Sequence, residues 1–246
     1  MISWLVLDIE LIETNKDKMV INESKCNVIT FNFSKYNTCP QSLTLNGNLL
    51  KSCNKITLLG VIITEDLKWK ENTANICKKV NKKFYIIWKL KQFGLKEEEL
   101  LTAWKVMLRP IAEYTVPLWH SGLTDMDSDK LETLQKRALG LILGTIYQNY
   151  RRYYKINGEA VSYENALIHC NLTSLNDRRR KLTDKFAIDT AINRRHKNFF
   201  EDKINTGPQT RSKPVVKEKY CETNRYFNSA IPYMSRTLNN VKGLKI

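Results

Sequence analysis

The 246-residue chain lacks the close cysteine pairs that set a tetrahedral zinc site. Its six cysteines (Cys26, Cys39, Cys53, Cys77, Cys170 and Cys221) never stand in a C-x-x-C spacing, which excludes a zinc finger or zinc knuckle and leaves reduced intracellular thiols as the simplest reading. Three histidines, His120, His169 and His196, are equally scattered and offer no metal-ligand spacing. There is no glycine-rich phosphate loop, no G-x-S-x-G elbow and no nucleophile–base arrangement, so the sequence carries no enzyme motif of its own. Long hydrophobic runs are missing too. The opening MISWLVLDIELIE has no basic flank and is cut by Asp8, so it reads as neither a signal peptide nor a membrane span. The expectation is an intracellular protein, nuclear or cytoplasmic and not secreted, with no membrane partner. The sequons at Asn22, Asn32 and Asn171 are then chance matches.

Acidic residues are also in short supply. Lys and Arg number 40 against 25 Asp and Glu, a net charge of +15. The excess is uneven: residues 1–70 carry a net +1 and the remaining 176 residues a net +14. A polyanion would be drawn to that larger part and would release counterions on binding. The hydrophobic content of 42% and aromatic content of 10% are those of an ordinary globular protein.

The first seventy residues read as β-rich. Val28, Ile29, Phe31 and Phe33 form a strand-like run. Asn46-Gly47, set between alternating apolar residues, is a hairpin signal because both turn positions need positive φ. Ile56 to Ile63 reads as a third strand with Gly60 marking a bulge or close approach. From Glu71 the period becomes helical, with Ile76, Val80, Phe84, Ile87 and Leu90 on one face and a helix end at Gly94. A second helix is predicted from about Lys96 to Arg109, stopped by Pro110, and a short helix over Glu113 to Trp119. Thr124 or Asp125 caps a helix ending at Gly144, and Ser174 with Asp177 starts another running to about Asn193. Beyond Phe200, Gly207-Pro208 and Pro214 predict a partly ordered tail.

Four basic groupings stand out. Lys78, Lys79, Lys82 and Lys83, with Lys89, project from the polar face of the first helix and suit phosphate contact; a solvated helix face explains them equally well. Arg178, Arg179, Arg180 and Lys181 crowd the start of a helix, where cations oppose its dipole, and Arg194, Arg195, His196 and Lys197 follow. A nucleic-acid patch or nuclear-import signal accounts for both clusters. Arg151 and Arg152 interleave with Tyr147, Tyr150, Tyr153 and Tyr154, which fits stacking on single-stranded bases, although such aromatics are more often core. Asp125-x-Asp127-x-Asp129 is only superficially a calcium loop, since Lys130 and Lys136 occupy its required glycine and glutamate positions, and no metal is assigned.

The order of several segments resembles the C-terminal palm and thumb portion of reverse transcriptases from non-LTR (LINE, jockey-like) retrotransposons. LRPIAEYTVPLW is similar to the family's Arg-Pro-x-x-Glu-Tyr-x-x-Pro-x-Trp block, at Arg109, Pro110, Glu113, Tyr114, Pro117 and Trp119, and LETLQKRALGLILG continues it. MVINESKCNVITF resembles palm motif D and places Lys25 on that motif's lysine, which the family implicates in protonating the leaving pyrophosphate. LLGVIITEDLKW resembles the motif E primer-grip hairpin, with Leu59, Gly60 and Val61 in the Leu-Gly-Val positions and Leu58 where the family has tyrosine. ICKKVNKKFYIIWKL resembles the first thumb helix, SLNDRRRKL the later Arg-Arg helix, and Tyr226-Phe227 with Asn239 the closing region.

What the resemblance implies is an α+β fold: a small β-rich palm remnant over residues 1–68, a helical thumb over 69–146, a basic helical connection over 147–200 and the tail over 201–246. It also implies an RNA or DNA partner bound without sequence preference. The family's aromatic-x-Asp-Asp motif stands well before motif D, whereas the eighteen residues before Met19 hold Asp8 and Glu10. The expectation is therefore a truncated RNA-directed DNA polymerase with no catalytic carboxylate intact and no cofactor, magnesium being expected only of the complete enzyme. A host-recruited protein-interaction module on the same fold, and an active enzyme whose palm is encoded upstream of Met1, are the alternatives.

Overall fold

The computed structural model describes residues 26–31, 42–45, 47–148, 151–193, 200, 216–218 and 220–241. The fold is of the mixed α+β class, with helices predominating over small sheets. The chain divides into two units, Met1–Leu67 and Lys68–Ile246.

The first unit is built from short pairings. Strand β1 (Asn27–Val28) runs parallel to β4 (Lys51–Ser52), and the Cys53 amide donates to the Val28 carbonyl at 2.9 Å. Strands β2 (Thr44–Leu45) and β3 (Asn48–Leu49) form the predicted hairpin, with Gly47 at φ +85° and Leu45 buried; Asn46 lies outside the described residues, as does Phe33. The segment read as one strand over Ile56 to Ile63 is instead a hairpin. Strand β5 (Lys55–Leu58) turns at Leu59-Gly60 into β6 (Val61–Thr64), with Leu58 opposite Val61. Gly60 is a turn residue rather than a bulge. It occupies the second turn position at φ +83°, after Leu59 at φ +47°, the double positive φ that a two-residue hairpin needs.

The second unit holds the main core. Helix α1 (Lys70–Gln92) buries Ile76, Val80, Phe84 and Ile87, as the period predicts, and Gly94 takes φ +82° just past its end. Helix α2 (Glu97–Ala103) does not stop at Pro110. It widens into a π-turn over Trp104–Leu108 and resumes as α3 (Arg109–Glu113). Proline lacks an amide donor and its ring crowds the preceding turn; an i→i+5 turn, closed by the Arg109 amide on the Trp104 carbonyl, accommodates it. The predicted helix over Glu113 to Trp119 is broken at Tyr114, which is extended, and Thr115, which is left-handed at φ +51°; only α4 (Val116–Trp119) is helical. A 3-10 turn, His120–Gly122, follows. A side chain at Gly122 would meet the Trp69 indole at 2.7 Å, so the absence of a Cβ lets the start of α1 close on that turn.

Helix α5 (Asp125–Leu143) is capped by Thr124, whose hydroxyl accepts from the Asp127 amide at 3.2 Å, and it packs along α1. The rings of Phe84 and Trp104 stack nearly parallel within this core, centroids 6.1 Å apart. The segment after Gly144, expected over 147–200 as a basic helical connection, holds strands as well as helices. It begins with an antiparallel meander of β7 (Thr145–Gln148), β8 (Arg151–Ile156) and β9 (Glu159–Val161), then α6 (Tyr163–His169). Helix α7 (Leu175–Ile192) is capped by Ser174, whose hydroxyl accepts from the Asp177 amide at 3.0 Å. Within the expected tail, α8 (Asn224–Phe227) and α9 (Ala230–Asn240) are helical. Met234 and Leu238 of α9 share a second small core with Ala187 and Ala191 of α7, Phe200 and Val216. Gly207, Pro208 and Pro214 lie outside the described residues.

Candidate nucleic-acid interface

Helix α1 carries the most one-sided charge. From Asn72 to Gln92 it holds six lysines and no acidic residue. Lys78, Lys79, Lys82, Lys83 and Lys89 are all exposed, opposite or flanking the buried stripe. Lys78, Lys82, Tyr85 and Lys89 follow one another at i, i+4, i+7 and i+11, a line about 16 Å long at 1.5 Å per residue. Tyr85 (63% exposed) and Trp88 (48%) present their rings beside these lysines, and Lys89 Nζ sits 5.1 Å from the Trp88 ring centroid. Lys78, Lys79, Lys82 and Lys83 make no hydrogen bond or ion pair with the described residues. Their spacing places Lys78 against Lys82 and Lys79 against Lys83 at i,i+4, an arrangement that destabilises an isolated helix.

Lys91 belongs to a different function. Its ammonium donates to the carbonyls of Leu141 (2.7 Å) and Ile142 (3.0 Å), satisfying the last turn of α5 from a neighbouring helix. Arg137 is likewise engaged with the fold: it donates to Asn81 Oδ1 at 2.7 Å and lies over Phe84 at 4.8 Å.

The run Arg178 to Lys181 does not form one surface patch. Arg178 ion-pairs with Glu113, which also takes Arg109 at 3.3 Å, and so ties α7 to α3. Arg179 is fully buried and donates to Ser128 Oγ at 2.7 Å; its Nε and Nη1 find no hydrogen-bond partner among the described residues. Burial pulls the ordinary pKa of both Arg179 and Arg109 downward. Arg180 and Lys181 remain exposed, with Arg180 paired to Asp177 at 3.0 Å. Two of the four cations therefore act inside the protein. The sequence does carry a signal for this: Arg179 stands four residues after Leu175 and four before Thr183, within the stripe that α7 buries. The later cluster Arg194 to Lys197, and Lys25, lie outside the described residues.

The tyrosines of the meander divide in the same way. Tyr154 is buried and donates to the Lys136 carbonyl at 3.3 Å, its ring 6.0 Å from that of Tyr163, whereas Tyr153 on the opposite face is half-buried and Arg152 exposed. The side chain of Arg151 and all of Tyr150 lie outside the described structure. Leu59 and Gly60 sit at the tip of the β5–β6 hairpin, with Leu59 82% exposed, while Val61 is buried.

Residues of the Arg-Pro block hold helices together. Trp119 is fully buried and donates through Nε1 to the Tyr114 carbonyl at 3.0 Å, across the break at Thr115. Glu132 accepts from the amides of Leu175 and Asn176, both at 3.1 Å, capping α7 from α5. It also accepts from the Tyr163 hydroxyl at 2.5 Å; burial, then that hydrogen bond, raises the phenol pKa above its ordinary value. His120 is pulled down to about 4 by burial and by Arg179 and Arg180, and is neutral at pH 7. Burial raises the Cys77 thiol and takes Cys170 to about 11, so neither is a thiolate at neutral pH.

Among the described residues no three His, Cys, Asp or Glu side chains come together as a metal site, and Asp125, Asp127 and Asp129 serve as a helix start, with Asp127 paired to Lys130 at 2.8 Å. No described helix is long and apolar enough to cross a membrane. No protein-family model, curated protein or solved structure matches the chain.

Proposed function

We propose that the chain grips RNA, DNA or their hybrid through phosphate contacts centred on the exposed lysine face of α1. The single observation that carries this reading is that face: lysines in repelling i,i+4 pairs, without partners among the described residues and with no carboxylate among them over twenty-one residues. A solvated helix gains by interspersing Glu among its lysines. A helix that omits them accepts a stability cost that a polyanion relieves. At one phosphate per about 3.4 Å of strand axis, a 16 Å line faces four or five phosphates, and Tyr85 and Trp88 supply rings on which bases stack.

The thumb-like order of the Arg-Pro block and the helices around it supports a reverse-transcriptase origin, with the β5–β6 hairpin at Leu59, Gly60 and Val61 as the primer-grip counterpart. Within these 246 residues the proposal assigns gripping and not nucleotide transfer.

Fluorescence anisotropy with a short RNA–DNA hybrid tests it. Replacing Lys78, Lys79, Lys82 and Lys83 together by Ala is expected to weaken binding at least about tenfold at low salt. Replacing Arg180 and Lys181 is expected to change it far less, because Arg180 already faces Asp177. Unchanged binding by the four-lysine variant would move the interface off α1, and equal losses from both variants would extend it to α7. A protein partner on the same face is the competing reading, favoured by exposed Tyr85 and Trp88; it predicts that both variants leave nucleic-acid binding unchanged.

A further inference from the structure

The C-terminal helices border a cleft that shares no residue with α1. Glu218, Tyr220, Cys221, Phe227, Pro232 and Arg236 line an open cleft of about 430 Å³, near the lower end of the range of small-molecule sites, roughly 300–1,000 Å³. Its rings do not belong to the adjacent core: Tyr220 is 85% exposed and Phe227 44%, while that core is closed by Met234, Leu238, Ala187, Ala191, Phe200 and Val216. Arg236 lies over the Phe227 ring, its Cζ 3.5 Å from the centroid. It makes no hydrogen bond or ion pair with the described residues, so its in-plane N–H groups are free to donate. Glu218 accepts from Asn239 through one oxygen at 2.7 Å, which leaves the other oxygen as an acceptor.

The chemistry narrows the ligand. A purely apolar guest would desolvate Arg236 and Glu218 without pairing them. A simple anion would meet the Glu218 carboxylate and leave both rings in water. A flat ring with hydrogen-bond donors and acceptors on its edge uses all of these groups: its faces against Tyr220 and the Phe227–Arg236 stack, its edge toward the guanidinium and the carboxylate. We propose that this cleft holds one unpaired nucleobase. Its biological source rests on the nucleic-acid reading above, but its chemistry does not depend on the lysines of α1. An Arg–Phe contact that merely staples α8 to α9 would need neither the bare Tyr220 ring nor the free carboxylate oxygen.

The probe is 2-aminopurine riboside, an uncharged nucleoside whose fluorescence falls when its base stacks and whose edge keeps an amino donor beside ring-nitrogen acceptors. The full chain is expected to quench it saturably, with little dependence on salt and no change when Lys78, Lys79, Lys82 and Lys83 are Ala. Tyr220→Ala and Phe227→Ala are each expected to weaken the quench about tenfold. Both rings are exposed, so circular dichroism should show each variant folded. Arg236→Lys keeps the charge, loses the flat surface and should weaken the quench as well. Absence of saturable quenching by the wild-type chain overturns the proposal, as does quenching that all three variants retain. Nucleoside quenching without lysine-dependent hybrid binding would sink the α1 reading and leave the cleft standing; the reverse result would do the opposite.

Discussion

At the scale of single residues, Glu113 is a carboxylate that ties two helices together. It is one-tenth exposed and takes both Arg109 and Arg178. Removing it leaves two cations facing each other in a partly buried setting, so Glu113→Ala is expected to cost about 2–3 kcal/mol, read from the denaturant midpoint. A change below about 0.5 kcal/mol would mean the pair is solvent-screened and structurally idle. His120 supplies a pH-dependent test. Its ordinary value of 6.5 falls to about 4 in the folded protein. Below pH 6.5 the unfolded chain takes up a proton that the folded chain refuses until about pH 4, so the unfolded state binds more protons and stability drops as pH falls through that window. The full effect is at most about 3 kcal/mol. Comparing wild type with His120→Gln between pH 7 and 4.5 isolates it from the carboxylates; the variant should lose ground less steeply, and parallel curves would contradict the burial argument. Leu59 is one of the strained positions, with Leu67 and Thr115 also at positive φ. A leucine held at φ +47° on a hairpin tip costs about 1–2 kcal/mol relative to glycine, so Leu59→Gly should raise the thermal midpoint. A lower midpoint would show that the exposed leucine packs in a way that offsets its strain.

At the scale of elements, periodicity makes α1, α5 and α7 legible, because each buries a stripe that repeats every three or four residues and each starts or ends on a recognisable cap such as Thr124, Ser174 or Gly94. The departures have physical causes. Pro110 reads as a stop only if the helix must keep its i→i+4 pattern; the π-turn at Trp104–Leu108 avoids that requirement. The β7–β8–β9 meander is hidden because its arginines and tyrosines stand in adjacent pairs, Arg151-Arg152 and Tyr153-Tyr154, so that Tyr154 is buried and Tyr153 lies on the opposite face, a period of two masked by shared character. The candidate site is legible as a lysine-rich face. Tyr85 and Trp88 do not announce themselves as part of it, because each follows a stripe residue, Phe84 or Ile87, by one position. Nor does spacing alone reveal that Lys91 reaches across to α5. Lys91→Met is therefore expected to destabilise the protein by about 1 kcal/mol while leaving nucleic-acid binding intact, and a loss of binding without loss of stability would place Lys91 in the interface instead.

At the scale of the whole molecule, charge is the organising fact. The net +14 beyond residue 70 includes cations that the fold consumes (Arg109, Arg178, Arg179, Lys91, Arg137) and a remainder of lysines that it does not. That division separates the two roles a basic sequence leaves entangled, and it shifts the weight of the nucleic-acid reading from the arginine run at α7 to the face of α1. Counterion release measures it most directly. The slope of log binding constant against log salt, for a short duplex and the full chain, should be steep. Replacing Lys78, Lys79, Lys82 and Lys83 by Ala should reduce its magnitude by about 3.6, or about 0.9 for each of the four phosphates no longer neutralised. A slope that is flat in the wild type, or unchanged in the four-lysine variant, would contradict the account.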